Sequence, residues 1–276
     1  MTENKKLVEL QGATLARGNR HLWHDLTVAI TRGEFIAVLG PNGAGKTSLL
    51  KVLLGLVPLV EGSVMIDGRP AERGNKQIGY IPQQKNFDQA LPIRGRDLVS
   101  LGVNGNRYGF GGNSKAKTRV DRAIKSVGAS HYASQPIGLL SGGEQQRLRI
   151  AQALAGQPEL LLCDEPLLSL DLTSQAKITA LLDDYRKKKN AAIIFVTHEI
   201  NPVLPYVDRI LYLAAGKWVI DTPDHVLQSK TLSDLYGTPV EVLHVHDRVL
   251  VVGAEDEALT AAGIHHTHER DIGDEH

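Results

Sequence analysis

The stretch EFIAVLGPNGAGKTSLLKVLLGL, residues 34–56, decides the fold. EFIAVLG (34–40) is an apolar run of strand length that passes straight into a glycine-rich loop, and KTSLLKVLLGL (46–56) follows at helical spacing. Strand, loop and helix in that order give the pattern G-x-x-x-x-G-K-T, matched by Gly40, Gly45, Lys46 and Thr47, its physical meaning. Backbone N–H groups from Asn42 to Ser48 would wrap phosphate oxygens. The glycines permit positive φ and close approach, and the helix N-terminus adds partial positive charge. The whole turn Gly40, Pro41, Asn42, Gly43, Ala44, Gly45, Lys46, Thr47 and Ser48 is therefore a candidate nucleotide cradle. Lys46 would meet the β/γ oxygens, and Thr47 would ligate Mg²⁺.

A metal-bound triphosphate also calls for a carboxylate at a neighbouring strand end. ELLLCDEP (159–166) reads as a fully buried strand, and it leaves Asp164 and Glu165 at its C-terminal edge, where open α/β sheets bind ligands. Asp164 is expected to hold Mg²⁺ through water and Glu165 to polarise the attacking water.

Outward from these motifs, strands and helices alternate. LVELQGATLAR (7–17) and LTVAI (26–30) read as strands, as do SVMID (63–67), IGYIP (78–82), AAIIFVTH (191–198) and the two halves of DRILYLAAGKWV (208–219). KAKTRVDRAIKSVGA (115–129), residues 142–155 and TSQAKITALLDDYRKKK (173–189) have helical spacing, whereas GVNGNRYGFGGNS (102–114) reads as a surface loop. The alternation predicts a largely parallel sheet covered on both faces.

The chain has 276 residues, of which 42% are apolar, enough for a substantial core. One cysteine, Cys163, excludes a disulfide framework and a cysteine-based zinc site. Basic and acidic side chains balance at 31 each, so no global field favours nucleic acid or an anionic membrane. No apolar run approaches the ~20 residues needed to span a bilayer. The first residues, MTENKKLVEL, do not resemble a signal peptide, and the cytoplasm is the expected compartment. Residues 244–276 hold eight acids against two bases and six of the eleven histidines. His265, His266 and His268 form a cluster that could bind a transition metal through neutral imidazole, or lie in a solvated acidic end. VLHVHDRVLVVG (242–253) alternates as a small hairpin would, and is expected to be a regulatory or dimer-supporting element.

A second glycine-rich turn precedes a second helix at LSGGEQQR, residues 140–147, too far from Lys46 to belong to the first loop. Ser141 can cap that helix with Glu144 three residues on, and a helix N-terminus of this kind also offers an anion site. With GPNGAGKTS and LLLCDEP in this order and spacing, LSGGEQQR resembles the signature motif of ATP-binding-cassette ATPases. The resemblance covers about residues 7–237. It implies a P-loop NTPase with a RecA-like α/β core and mixed sheet, an N-terminal antiparallel β subdomain and an inserted α-helical subdomain. The division it implies is an ATPase domain over 1–240, with the helical lobe at about 85–157, and an extension over 241–276.

The resemblance further implies ATP and Mg²⁺ as cofactors and a head-to-tail dimer, in which Ser141, Gly142 and Gly143 of one copy close over nucleotide held by the other. Gln83, with Gln84 adjacent, resembles the glutamine linking nucleotide and metal to the helical lobe. Asp171 resembles the loop aspartate crossing the dimer interface, and His198 the switch histidine at the γ-phosphate. Arg17 stands where the family carries an aromatic that stacks on adenine, a role a guanidinium can also fill. LPIRGRDLVSLG (91–102) and HEINPVLPYVDRILYL (198–213) are similar to the nucleotide-binding subunits of bacterial zinc/manganese importers. That similarity implies a membrane permease and an extracellular metal-binding protein as partners, a location on the inner face of the membrane, and no direct nucleic-acid contact. Another import or export system, or a soluble ATPase acting on nucleic acid, would share the catalytic motifs; the zinc modules, long coiled coils or tandem cassettes usual in the nucleic-acid class are not seen in the sequence.

Overall fold

The structure is a computed structural model, and it describes residues 5–83, 87–88, 91–104, 114–246 and 248–253. A six-stranded sheet at its centre has the order β10-β9-β3-β8-β7-β6, where β3 is Phe35–Leu39, β6 Ile78–Ile81, β7 Leu160–Asp164, β8 Ala192–Val196, β9 Arg209–Ala214 and β10 Lys217–Asp221. The pairs β6–β7, β7–β8, β3–β8 and β3–β9 are parallel, and β10 closes the edge antiparallel to β9. Every residue of β3, β7 and β8 is buried. Continuous apolar runs are what a parallel strand covered on both faces requires.

Alternation along these strands feeds two cores. Phe35, Ala37, Leu161, Cys163, Ile193 and Phe195 face one, and Ile36, Val38, Leu160, Leu162, Ile194 and Val196 face the other. Helix α1 (Lys46–Leu53) and a four-stranded antiparallel sheet cover the second face, the sheet built from β1 (Lys6–Arg17), β2 (Arg20–Thr31), β4 (Glu61–Ile66) and β5 (Arg69–Pro70). The first face is covered by α2 (Gly95–Asn104), α3 (Ser114–Ser126), α4 (Gly142–Ala155), α5 (Leu172–Lys189) and α7 (Ser229–Tyr236), which follows the short α6 (Pro223–Val226). The hairpin of β11 (Val240–Val245) and β12 (Arg248–Gly253) places Val240 and Val249 in the same core.

Three local departures from the sequence reading have physical causes. β2 begins at Arg20, ahead of the expected Leu26, because register shifts along the β1–β2 ladder accommodate a segment with no clean alternation. α1 ends at Leu53, and Gly55 follows at φ +66° where a Cβ would lie 2.7 Å from the backbone of Glu72. Helix α2 runs to Asn104, into the segment read as loop from Gly102 onward. There a Cβ on Gly102 would sit 2.0 Å from the carbonyl oxygen of Gln152. The glycine marks a close crossing of α2 and α4, not a turn.

Candidate nucleotide site and signature turn

The phosphate loop takes its shape from backbone that side chains would obstruct. Gly40 lies at φ +139°, where a Cβ would fall 2.0 Å from the carbonyl oxygen of Leu213 on β9, and Gly45, at φ +96°, abuts the Trp23 indole nitrogen. Helix α1 then starts with no side-chain cap and no acid in its first turn, leaving its N-terminal N–H groups to an anion. Lys46 is buried, and its Nζ donates to the carbonyl oxygens of Gly40 at 2.6 Å and Pro41 at 3.0 Å. Burial pushes its pKa down, while the charges of Glu165 and Asp164 oppose that shift. The ammonium is thus parked on the loop it would serve.

Beneath the helix start, Thr47 Oγ1 donates to Asp164 Oδ1 at 2.9 Å, and Tyr80 OH approaches Asp164 Oδ2 at 3.4 Å. Asp164 is 2% exposed, and burial raises its pKa above the ordinary carboxylate value. The Tyr80 phenol is pushed up to about 12 by burial and by the neighbouring Asp164 charge. Sequence reasoning missed Tyr80. Its signal lay in the strand register, which sets Tyr80 beside Leu162, two residues before Asp164. A hydroxyl and a carboxylate oxygen in contact form a hard-oxygen pair that suits Mg²⁺.

Glu165 is held in the left-handed region at φ +48°, with its N–H donating to the Val196 carbonyl at 3.0 Å. That bond fixes the residue to the end of β8. Gln83 Nε2 donates to Glu165 Oε2 at 3.0 Å, and His198 Nε2 meets Glu165 Oε1 at 2.5 Å. Two residues distant from each other in the chain converge on one carboxylate. Backbone strain of this kind persists where the surroundings over-determine it.

Ser141 caps α4 in a complete capping box. Glu144 N–H donates to Ser141 Oγ at 3.3 Å, and Ser141 N–H and Oγ–H each reach Glu144 Oε2 at 2.9 Å. Asp171 caps α5 through the Ser174 N–H and hydroxyl, and these bonds hold its pKa below the usual value. Ser141, Gly143 and Asp171 share an open hollow of about 720 Å³ with Arg147, Tyr132 and His131. Arg147, which sequence reasoning also passed over, donates to Ser174 Oγ at 2.6 Å and so ties the signature helix to the Asp171 turn.

No residue of 40–48 lines that hollow. Pro41, Asn42, Gly43 and Ala44 instead line another, of about 440 Å³, with Arg20, His21, Leu22 and His24. Arg17 stands at the end of β1 opposite Arg20, outside that lining. Within the helical lobe, Gln145 donates to the carbonyls of Ile137 and Leu140, and Gln146 crosses to the carbonyl of Pro166 at 3.1 Å, directly after the Asp164–Glu165 pair. His265, His266, His268 and Gln84 lie outside the described residues. Among the described residues no group of three or more histidine, cysteine or acidic side chains could hold a metal.

A glycine loop opening a helix beside two strand-end carboxylates, on a sheet with helices over one face and an antiparallel sheet over the other, defines a P-loop ATPase cassette. The match of residues 23–168 to the ABC transporter family shows that the chain belongs to that family. It is 33% identical over 254 residues to the manganese transport system ATP-binding protein MntB of Bacillus subtilis, covering 90% of this chain and 99% of that protein. It is 32% identical over 271 residues to the zinc import ATP-binding protein ZnuC 1 of Hahella chejuensis, covering 98% of each. Among solved structures it resembles the ATP-binding cassette MJ0796, a dimer in a post-hydrolysis state with ADP and Pi. There the TM-score is 0.68 with 28% identity, covering 78% of this chain and 98% of that one. The chain is an ABC ATPase.

Proposed function

We propose that the chain powers import of a divalent transition metal, zinc or manganese, through a separate membrane permease. Full-length similarity to manganese- and zinc-transport subunits supports the substrate class. The single observation that carries the chemistry is the convergence of Gln83 and His198 on Glu165, beside the Thr47–Asp164 pair.

In this reading Glu165 accepts a proton from the attacking water. Gln83 and His198 aim its carboxylate and hold it near the γ-phosphate position. Lys46 leaves the Gly40 and Pro41 carbonyls to bind phosphate oxygens, and Thr47 with Asp164 would hold Mg²⁺, which neutralises developing charge when bound. Two copies assemble head to tail, so that Ser141, Gly142 and Gly143 of each cap the nucleotide on the other's loop, with Asp171 at the seam. The separation of the signature hollow from the chain's own phosphate loop supports this arrangement. The assembly would sit on the cytoplasmic face of the membrane beneath the permease, served by an extracellular metal-binding protein, with no direct nucleic-acid contact. No described helix is long and apolar enough to cross a membrane.

Glu165→Gln tests the reading. ATP binding is retained, turnover falls by about 10²-fold or more, and the chain is trapped as an ATP-bound dimer in size-exclusion chromatography. Turnover near that of the unaltered protein would overturn the assignment.

A further inference from the structure

The hairpin of β11 and β12 has two unlike faces. Directly opposed residues of an antiparallel pair share a face, and the register pairs Glu241 with Val252, Leu243 with Leu250, and Val245 with Arg248. The alternate residues Val240, Val242, Val249 and Val251 pack into or against the main core. The outer face therefore carries Leu243, Val245 and Leu250, exposed at 43%, 46% and 48%, with Val252 beside them. Glu241 closes one end of this face and Arg248 the other.

We propose that this outer face is a contact between two copies of the chain, so that the assembly closes at the hairpins as well as over nucleotide. Two observations choose a second copy over any other occupant. The face complements itself: a two-fold axis across the strands lays apolar centre on apolar centre and brings the Glu241 end of one copy over the Arg248 end of the other. Its anchor also lies close in the chain to His198, one of the residues of the proposed nucleotide site. Asn201, three residues past His198, donates from Nδ2 to the Val249 carbonyl at 3.1 Å and accepts the Val249 N–H at 2.8 Å on Oδ1. The hairpin is thereby fastened to the segment that carries His198, and hairpin contact and nucleotide closure reinforce each other. A two-stranded hairpin is marginal alone, and burying its second face is the contribution the partner makes.

The choice of partner rests on the two-copy assembly proposed above, and the experiment separates the two ideas. Dimer dissociation constants are measured by sedimentation for the full chain carrying Glu165→Gln, with and without ATP. Adding Leu250→Asp raises the constant at least tenfold while leaving the nucleotide affinity of the monomer unchanged. Leu250 is half exposed, so the fold is retained, which circular dichroism checks. Glu241→Arg and Arg248→Glu each raise the constant, and the double reversal restores it. Under oxidation, Leu250→Cys links two copies through a disulfide. Removing residues 254–276 leaves the constant unchanged. A constant unaltered by Leu250→Asp, or a face freed for tighter dimerisation by removing 254–276, overturns the hairpin contact. Absence of any ATP-induced dimer in the Glu165→Gln chain instead overturns the head-to-tail assembly, whatever the hairpin variants do.

Discussion

At the scale of single residues, the loop depends on positions where no side chain fits. Gly40→Ala forces a Cβ to 2.0 Å from the Leu213 carbonyl in a backbone region that alanine disfavours. It is expected to cost about 2 kcal/mol or more in urea unfolding, with nucleotide binding lost alongside. Lys46→Ala leaves the backbone cradle intact and removes the charge, so nucleotide affinity falls at least tenfold in a direct binding titration while the melting temperature stays close to that of the unaltered protein. A drop in melting temperature matching that of Gly40→Ala would mean that the Lys46 bonds to Gly40 and Pro41 build the loop instead of serving its ligand. Glu165 shows a third kind of residue: it holds a positive φ with its N–H bonded to Val196 at the end of β8, and its carboxylate meets Gln83 and His198.

At the scale of elements, helix termini carry much of the organisation. Ser141 and Asp171 each satisfy a helix start while facing one hollow, and Arg147 links the two starts. At the other end of α5, Arg186 donates to Asp183, Asp208 and the Gly33 carbonyl, pinning the helix to the strand that feeds the phosphate loop. Arg186→Ala takes one of two cationic partners from Asp183, which is 4% exposed and keeps Lys187, and is expected to cost about 1–3 kcal/mol in chemical denaturation. The same network gives a pH signature. Burial alone would raise the Asp183 pKa, but hydrogen bonds from Lys187 and Arg186 hold it below its ordinary value of 3.8. A depressed native pKa contributes stability above the unfolded value, and that stability is lost as pH falls through the native one. Stability of the unaltered protein should therefore decline below about pH 3.8, and the decline should be weaker in Arg186→Ala, where Lys187 alone remains on Asp183.

At the scale of the whole molecule, one continuous core joins the helical lobe, the sheet and the hairpin. Val99, Ile124 and Leu148 pack in the same cluster as Phe35, Phe195, Val240 and Val249. Phe195 on β8, fully buried with its ring 5.8 Å from that of Phe35, belongs to the sheet's part of this cluster. Phe195→Ala is expected to cost about 3–5 kcal/mol. Because β3, β7 and β8 give alternate residues to both faces of the sheet, the denaturation midpoint should shift equally by tryptophan fluorescence and by far-ultraviolet circular dichroism. Trp23 and Trp218 both report from the opposite face of the sheet, so divergent midpoints would show that the two faces unfold separately.

The sequence by itself determined whatever is encoded within one turn or one strand. The phosphate loop, the buried runs of β3, β7 and β8, the capped start of α4 and the C-terminal hairpin were all legible, because glycine freedom, hydrophobic period and local hydrogen bonding act over a few neighbours. Residues 102–104, read as the start of a loop, were helix, since glycine there answers to the crossing of α4, which no local pattern reveals. Only the tertiary structure decided that Gln83 meets Glu165 across 82 residues. It likewise decided that Tyr80 lies on Asp164, and that Ser141 shares a hollow with Asp171 apart from residues 40–48. Those meetings follow from a sheet order that inserts β3 between β8 and β9 and sets β6 beside β7, an arrangement fixed by packing both faces at once.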